Sequence, residues 1–180
     1  MTTLGFFHIP KSAGTYVLTI IDQFDITYYY HNLPQGNEPE TTFTIIRDPI
    51  DRFESFLNYI LQEDVPRETF PEDLHYVYIF KTVTLNKIIE KLTDDEIKVL
   101  TDVGYNKLTE WDNVDHKITI DQLKPFLNSH GYFYQDIEKV NVSKKERGTF
   151  SNDTKERLKI LFKEDIDYFK KHQQIHSHRL

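Results

Sequence analysis

The sequence predicts an α/β protein, a single domain built on a central, mostly parallel sheet flanked by helices. Three observations carry this expectation. The apolar runs Leu4–Ile9 and Thr42–Ile46 are short and end at Pro10 and at Asp48-Pro49, as buried strands do. A stretch with apolar residues at helical spacing follows each run. The links are short, so strand and helix signals alternate along the first third of the chain.

In order, Leu4–Ile9 is the first strand, bounded by Pro10 and Gly14. Thr15–Phe24 carries Val17, Leu18, Ile20, Ile21 and Phe24 at helical spacing. Ile26–Tyr30 is rich in β-branched and aromatic residues and reads as strand. Thr42–Ile46 is the next strand. Ile50–Leu61 places Phe53, Phe56, Leu57, Ile60 and Leu61 on one helical face. Val65–Pro71 holds two prolines and reads as a loop. Leu74–Ile89 reads as helix, although Tyr76-Val77-Tyr78-Ile79 also suits a strand. Thr93–Val103 is a helix opened by a Thr93/Glu96 capping box. Gly104–Lys117 is loop-like and contains the only tryptophan, Trp111. Ile120–Ser129 reads as a helix ending near Gly131, and Ile137–Val142 as a late strand. Ser151-Asn152-Asp153 opens a last helix through about Lys171, with Leu158, Leu161, Phe162, Ile166 and Phe169 on one face.

The chain has 180 residues, enough for one domain with a real core. Its net charge of −7 argues against general nucleic-acid binding, which needs clustered Lys and Arg, but leaves room for one small anion in a local positive pocket. There is no cysteine, which excludes disulfides and Cys-ligated zinc. No apolar run approaches the roughly 18–20 residues of a membrane span, and the first residues lack signal-peptide character. A cytoplasmic location is expected; the oligomeric state is not legible.

Two segments carry chemistry. The first is Phe7-His8-Ile9-Pro10-Lys11-Ser12-Ala13-Gly14-Thr15, between a strand and a helix. Free N–H groups and the helix dipole make such a junction an anion site. Gly14 would let the backbone approach a phosphate, Lys11 would place a charge on it, and Thr15 would add a hydroxyl. The order of residues is not that of a Walker A loop, because Lys11 precedes Gly14. The second segment runs from Phe43 to Phe56. Arg47 lies just past a strand and Ser55 eight residues later in a helix, so both could reach one phosphate.

Together the two segments resemble the PAPS-dependent sulfotransferase superfamily, in particular its carbohydrate (glycosaminoglycan-type) branch. There, His-Ile-Pro-Lys loops and Ile-Arg-Asp-Pro-x-x-Arg-x-x-Ser segments recur, as at His8–Lys11 and Ile46–Ser55. The resemblance implies a P-loop-like sulfotransferase fold over residues 1–171, followed by a polar tail, 172–180. It implies 3'-phosphoadenosine 5'-phosphosulfate (PAPS) as donor, adenosine 3',5'-bisphosphate (PAP) as product, and no metal. Lys11, Ser12, Ala13, Gly14 and Thr15 would bind the 5'-phosphosulfate, with Lys11 also catalytic. Arg47 and Ser55 would bind the 3'-phosphate. A basic, glycine-containing loop, Lys144-Lys145-Glu146-Arg147-Gly148, would cover that phosphate through Lys144, Lys145 and Arg147. His31, just past a strand and between the two motifs, would be the catalytic base. The acceptor would be a small-molecule or glycan hydroxyl.

The resemblance extends weakly to Val140-Asn141-Val142-Ser143 and to the last helix. The chain is shorter than most such enzymes, and its Tyr76–Trp111 region, where acceptor elements are expected, is reduced. His8 reads as structural, and Arg52 as a partner for a carboxylate such as Asp48. His172, His176 and His178 fall in the polar tail, while His75, His116 and His130 have no partner motif. Two rivals stay open: a P-loop-like small-molecule kinase with Asp48 serving magnesium, and a catalytically degenerate nucleotide-binding module.

Overall fold

The computed structural model describes residues 3–32, 35–36, 38–63, 65–69, 71–104, 107–135 and 147–177, with only the backbone described at 103–104 and 174–177. It is an α/β structure with one sheet of four parallel strands: β1 (Leu4–His8), β2 (Ile26–Tyr30), β3 (Thr41–Ile45) and β4 (His116–Ile118), in the order β2-β1-β3-β4. The helices are α1 (Gly14–Ile21), α2 (Pro49–Ile60), α3 (Leu85–Lys91), α4 (Asp94–Gly104), α5 (Leu123–Ser129), α6 (Asn152–Leu161) and α7 (Lys163–Ser177).

The chain forms two compact units. β1, α1, β2, β3, β4, α5 and the end of α7 form the sheet unit. α2, α3, α4, α6 and the start of α7 form a helical unit, whose chain leaves the sheet after Arg47 and returns at Leu108.

In the sheet unit, β1 is covered on both faces, which is why its sequence is a continuous apolar run. Side chains alternate along a strand. Leu4 and Phe6 pack with Val17, Ile20 and Ile21 of α1, with Leu123 and Leu127 of α5, and with Phe43 and Ile118. Phe7 and Ile9 face the other way, against Ile46, Leu108, Trp111 and Val114, with Tyr29, Tyr168 and Phe169 alongside. Each fully buried side chain of this size contributes about 1.5–3 kcal/mol.

In the helical unit, Phe53, Phe56, Leu57 and Ile60 of α2 join Leu85, Ile88, Ile97, Leu100, Leu158 and Phe162 in one core. Asp48 caps α2, its carboxylate accepting from the Ile50 and Asp51 amides at 2.9 and 3.1 Å, and Pro49 takes the first helical position, where its missing N–H does no harm. The Thr93/Glu96 capping box forms as expected: the Thr93 amide donates to Glu96 at 2.8 Å and the Glu96 amide to Thr93 Oγ1 at 3.2 Å. Arg157 of α6 holds the ends of α3 and α4 by donating to the Ile89 and Leu92 carbonyls and to Asp94.

Several elements differ from expectation. The loop-like stretch 104–117 contains a 3-10 turn, Leu108–Trp111, and the strand β4. Three residues including His and Lys carry too little period-two signal to read as strand, and pairing with β3 supplies the rest. Residues 72–80 form a 3-10 helix ahead of α3 rather than one continuous helix to Ile89. A 3-10 turn, Ile120–Gln122, precedes α5. The expected last helix is two, broken at Phe162. Leu158, Phe162 and Ile166 still share one core, so apolar spacing could not register the break. α7 also continues to Ser177, past the expected boundary at 171. The late strand Ile137–Val142 lies outside the described residues. Among the described residues, no helix is long and apolar enough to cross a membrane.

Candidate active site

β1 lies between β2 and β3, so the chain leaves β1 toward one side and later returns on the other. Where strand order reverses in this way, the loops beyond the carboxyl ends diverge and open a crevice. Three expected site residues lie there. Lys11 follows β1, His31 follows β2, and Arg47 follows β3. The Arg47 guanidinium donates from Nη1 to the Lys11 carbonyl at 3.4 Å, which brings the two expected anion-binding segments together.

The loop after β1 is strained. Among the described residues, only Lys11 (φ 61°), Ala13 (φ 63°) and His31 (φ 52°) are non-glycine residues at positive φ, and all three belong to this end of the sheet. Each such residue carries about 1 kcal/mol or more of strain. Lys11 and Ala13 are left-handed on either side of Ser12, whose amide donates to the Ile9 carbonyl at 3.3 Å.

Ala13 is the N-cap of α1, where Ser, Thr, Asp or Asn is preferred, and it provides no capping side chain. The first-turn amides of Gly14, Thr15 and Tyr16 have no acceptor upstream in the helix, and no acidic residue occupies that turn. Ser12, 1% exposed, buries its hydroxyl without a hydrogen-bond partner among the described residues. A buried hydroxyl left unsatisfied costs about 1–3 kcal/mol. Among the described residues, the Ser12 hydroxyl and the first-turn amides of α1 are donors that no side chain caps.

The electrostatics agree. Lys11 is half-buried, and its pKa is lowered from 10.5 to about 8, first by burial and then by the neighbouring Arg47. Two cations held side by side destabilise one another and favour an anion between them.

Gly14 has a packing role. A Cβ there would fall 1.8 Å from His8 Nε2, so glycine is required by close packing of the His8 ring on the loop. His8 Nδ1 is hydrogen-bonded to the Tyr28 hydroxyl at 2.9 Å. Gly14→Ala must displace His8 and is expected to destabilise the protein by about 1–3 kcal/mol. Thermal unfolding measures this; an unchanged midpoint would contradict the packing.

His31 is exposed, but its ring stacks on Tyr30 at 3.9 Å between centroids and lies 4.7 Å from that of His8. Partial burial of the imidazole holds its pKa below 6.5. His8 is lowered further, to about 4, by burial, then by His31 and Lys11. His8, expected to be structural, makes structural contacts with Tyr28 and Gly14. Phe6 and His8 pair with Tyr28 and Tyr30 in register and alternate onto one face.

Thr15 opens α1 and is exposed. Ser55 and the fully buried Arg52 lie on α2 in the helical unit. Asp48, the expected magnesium ligand of the kinase reading, is occupied in capping α2. Lys144 and Lys145 lie outside the described residues, as do Val140–Ser143. Arg147 lies in the helical unit. Its amide donates to Asn58 Oδ1 at 3.1 Å and its Nη2 to the Leu61 carbonyl at 3.4 Å. The same segment is fixed by Asn58 Nδ2 on the Gly148 carbonyl at 3.2 Å and by the Phe150 amide on Glu54 at 2.8 Å. Among the described residues, no group of three or more His, Cys, Asp or Glu is placed to hold a metal. Comparison with known protein families, with curated proteins and with solved structures finds no match to this chain.

Proposed function

We propose that the chain is a sulfotransferase that moves a sulfuryl group from PAPS to a hydroxyl acceptor, a carbohydrate in the first instance. The observation that carries this reading is the locus at the uncapped start of α1, where the Ser12 hydroxyl is buried without a partner among the described residues and Lys11 lies in the adjoining loop, with the Arg47 guanidinium on the Lys11 carbonyl at 3.4 Å. That locus fits the phosphosulfate end of the donor, and the resemblance at His8–Thr15 and Ile46–Ser55 supplies the donor's identity.

In this reaction the acceptor oxygen forms a bond to sulfur while the bond from sulfur to the 5'-phosphate oxygen breaks. His31 takes the acceptor's proton, and charge grows on the leaving phosphate. Lys11 and the α1 amides oppose that charge from fixed positions, an effect usually worth several kcal/mol. Arg47 grips a second phosphate with a planar fork of donors.

The test is affinity for the product. Adenosine 3',5'-bisphosphate should bind roughly tenfold or more tightly than AMP, and Arg47→Ala should remove most of that preference. Calorimetry showing equal affinity for the two nucleotides would overturn the proposal.

A further inference from the structure

We propose that His8 is a positioning residue: fixed by Tyr28 and packed on Gly14, it holds the His31 imidazole against the donor loop. The inference rests on the reading of His31 as the base, and it adds a dependence of that base on β1.

The geometry is a cluster of rings on one face of the sheet. His8 ends β1 and pairs in register with Tyr30 of β2, while Phe6 pairs with Tyr28. The Tyr28 hydroxyl meets His8 Nδ1 at 2.9 Å, which fixes the ring's rotation. The opposite nitrogen, Nε2, presses on Gly14 so closely that no side chain fits there. His8 thus touches the start of α1 on one side. On another it lies 4.7 Å from His31 and 5.5 Å from Tyr30, ring to ring, and Tyr30 stacks on His31 at 3.9 Å.

His31 itself follows β2 with a strained backbone at φ 52°. A strained, exposed residue would not keep one ring orientation by itself; contact with two neighbouring rings gives it one. One ring therefore ties the acceptor's base to the loop that binds the leaving group, and in-line transfer requires those two positions to be fixed together.

The electrostatic consequence follows from the same contacts. The titratable groups facing the pair are Tyr28 and Tyr30 from β2 and Lys11 from the loop, with Arg47 beside Lys11. His8 is lowered to about 4 and remains neutral at neutral pH. A neutral ring that excludes water from His31 disfavours the imidazolium, which matches the lowered pKa of His31.

The experiment follows the His31 imidazole by NMR titration in the unmodified protein, in His8→Asn and in Tyr28→Phe, with the resonance assigned by its loss in His31→Ala. In His8→Asn, water reaches His31, and its midpoint should rise by roughly half a pH unit toward the ordinary value. Tyr28→Phe removes one hydroxyl and no ring, so it carries the test even if His8→Asn fails to fold. It should move His31 in the same direction by less. In steady-state assays with PAPS, both variants should shift the acid limb of kcat upward in pH and lower kcat by roughly three- to tenfold, with bisphosphate affinity unchanged in Tyr28→Phe, which leaves the His8 ring on Gly14.

A His31 midpoint unmoved in both variants would overturn the proposal, as would sulfuryl transfer whose acid limb moves in neither. If the NMR shifts appear but no acceptor is sulfated, the positioning of His31 by His8 stands and the sulfotransferase reading fails.

Discussion

Replacing Lys11 with alanine is expected to lower kcat for sulfuryl transfer by roughly 10²–10³-fold and to weaken bisphosphate binding as well. Lys11 lies in the loop that leads into the uncapped start of α1, and in the proposed reaction it acts on the donor's phosphate both before and during transfer. Its lowered pKa makes the effect visible without turnover. In the free protein, burial and Arg47 hold Lys11 at about 8. A bound phosphate favours the ammonium form and raises that value. Binding therefore takes up a proton at pH values above 8, and affinity falls as pH rises through about 8. Calorimetry at about pH 8.5, in two buffers of different ionisation enthalpy, should report uptake of a large fraction of a proton. Lys11→Ala should abolish the buffer dependence. Equal enthalpies in both buffers for the unmodified protein would contradict the assignment of Lys11 to the anion site.

His31→Ala should separate chemistry from binding in the opposite way. Bisphosphate affinity should remain near that of the unmodified protein, because in the proposed reaction His31 contacts the acceptor and not the donor. The value of kcat should fall by roughly 10²-fold or more, the usual worth of a positioned base. The rate should rise with pH as His31 loses its proton. Because burial lowers the His31 pKa from 6.5, the midpoint of that rise should lie below pH 6.5. Full activity of His31→Ala with a verified acceptor would remove His31 from the role.

Much of the sheet and part of the site were legible in the sequence. Ile26–Tyr30 forms a strand with the bounds expected, and β1, β3 and α2 lie within a residue of theirs. These segments are short, continuously apolar or strongly periodic, and are punctuated by proline and glycine, so local chemistry alone places them. β4 was not legible, because a three-residue strand depends on its neighbour. The break at Phe162 was hidden because both helices keep their apolar residues on one core.

At the site, the strand–loop–helix order at Lys11–Thr15 and the cation just past β3 at Arg47 are properties of the sequence. Any fold that keeps those segments in register with one another will present them at strand ends. Four things were decided only by tertiary structure. The pairing of β1 with both β2 and β3 set Arg47 against the Lys11 carbonyl. Burial left the Ser12 hydroxyl without a partner among the described residues. Close packing gave Gly14 to the His8 ring. The register of β1 on β2 joined Tyr28, His8, Tyr30 and His31 into one cluster. Each depends on which residues far apart in the chain become neighbours. Periodicity and propensity describe a residue's preference along the chain; they carry no information about what lies across from it.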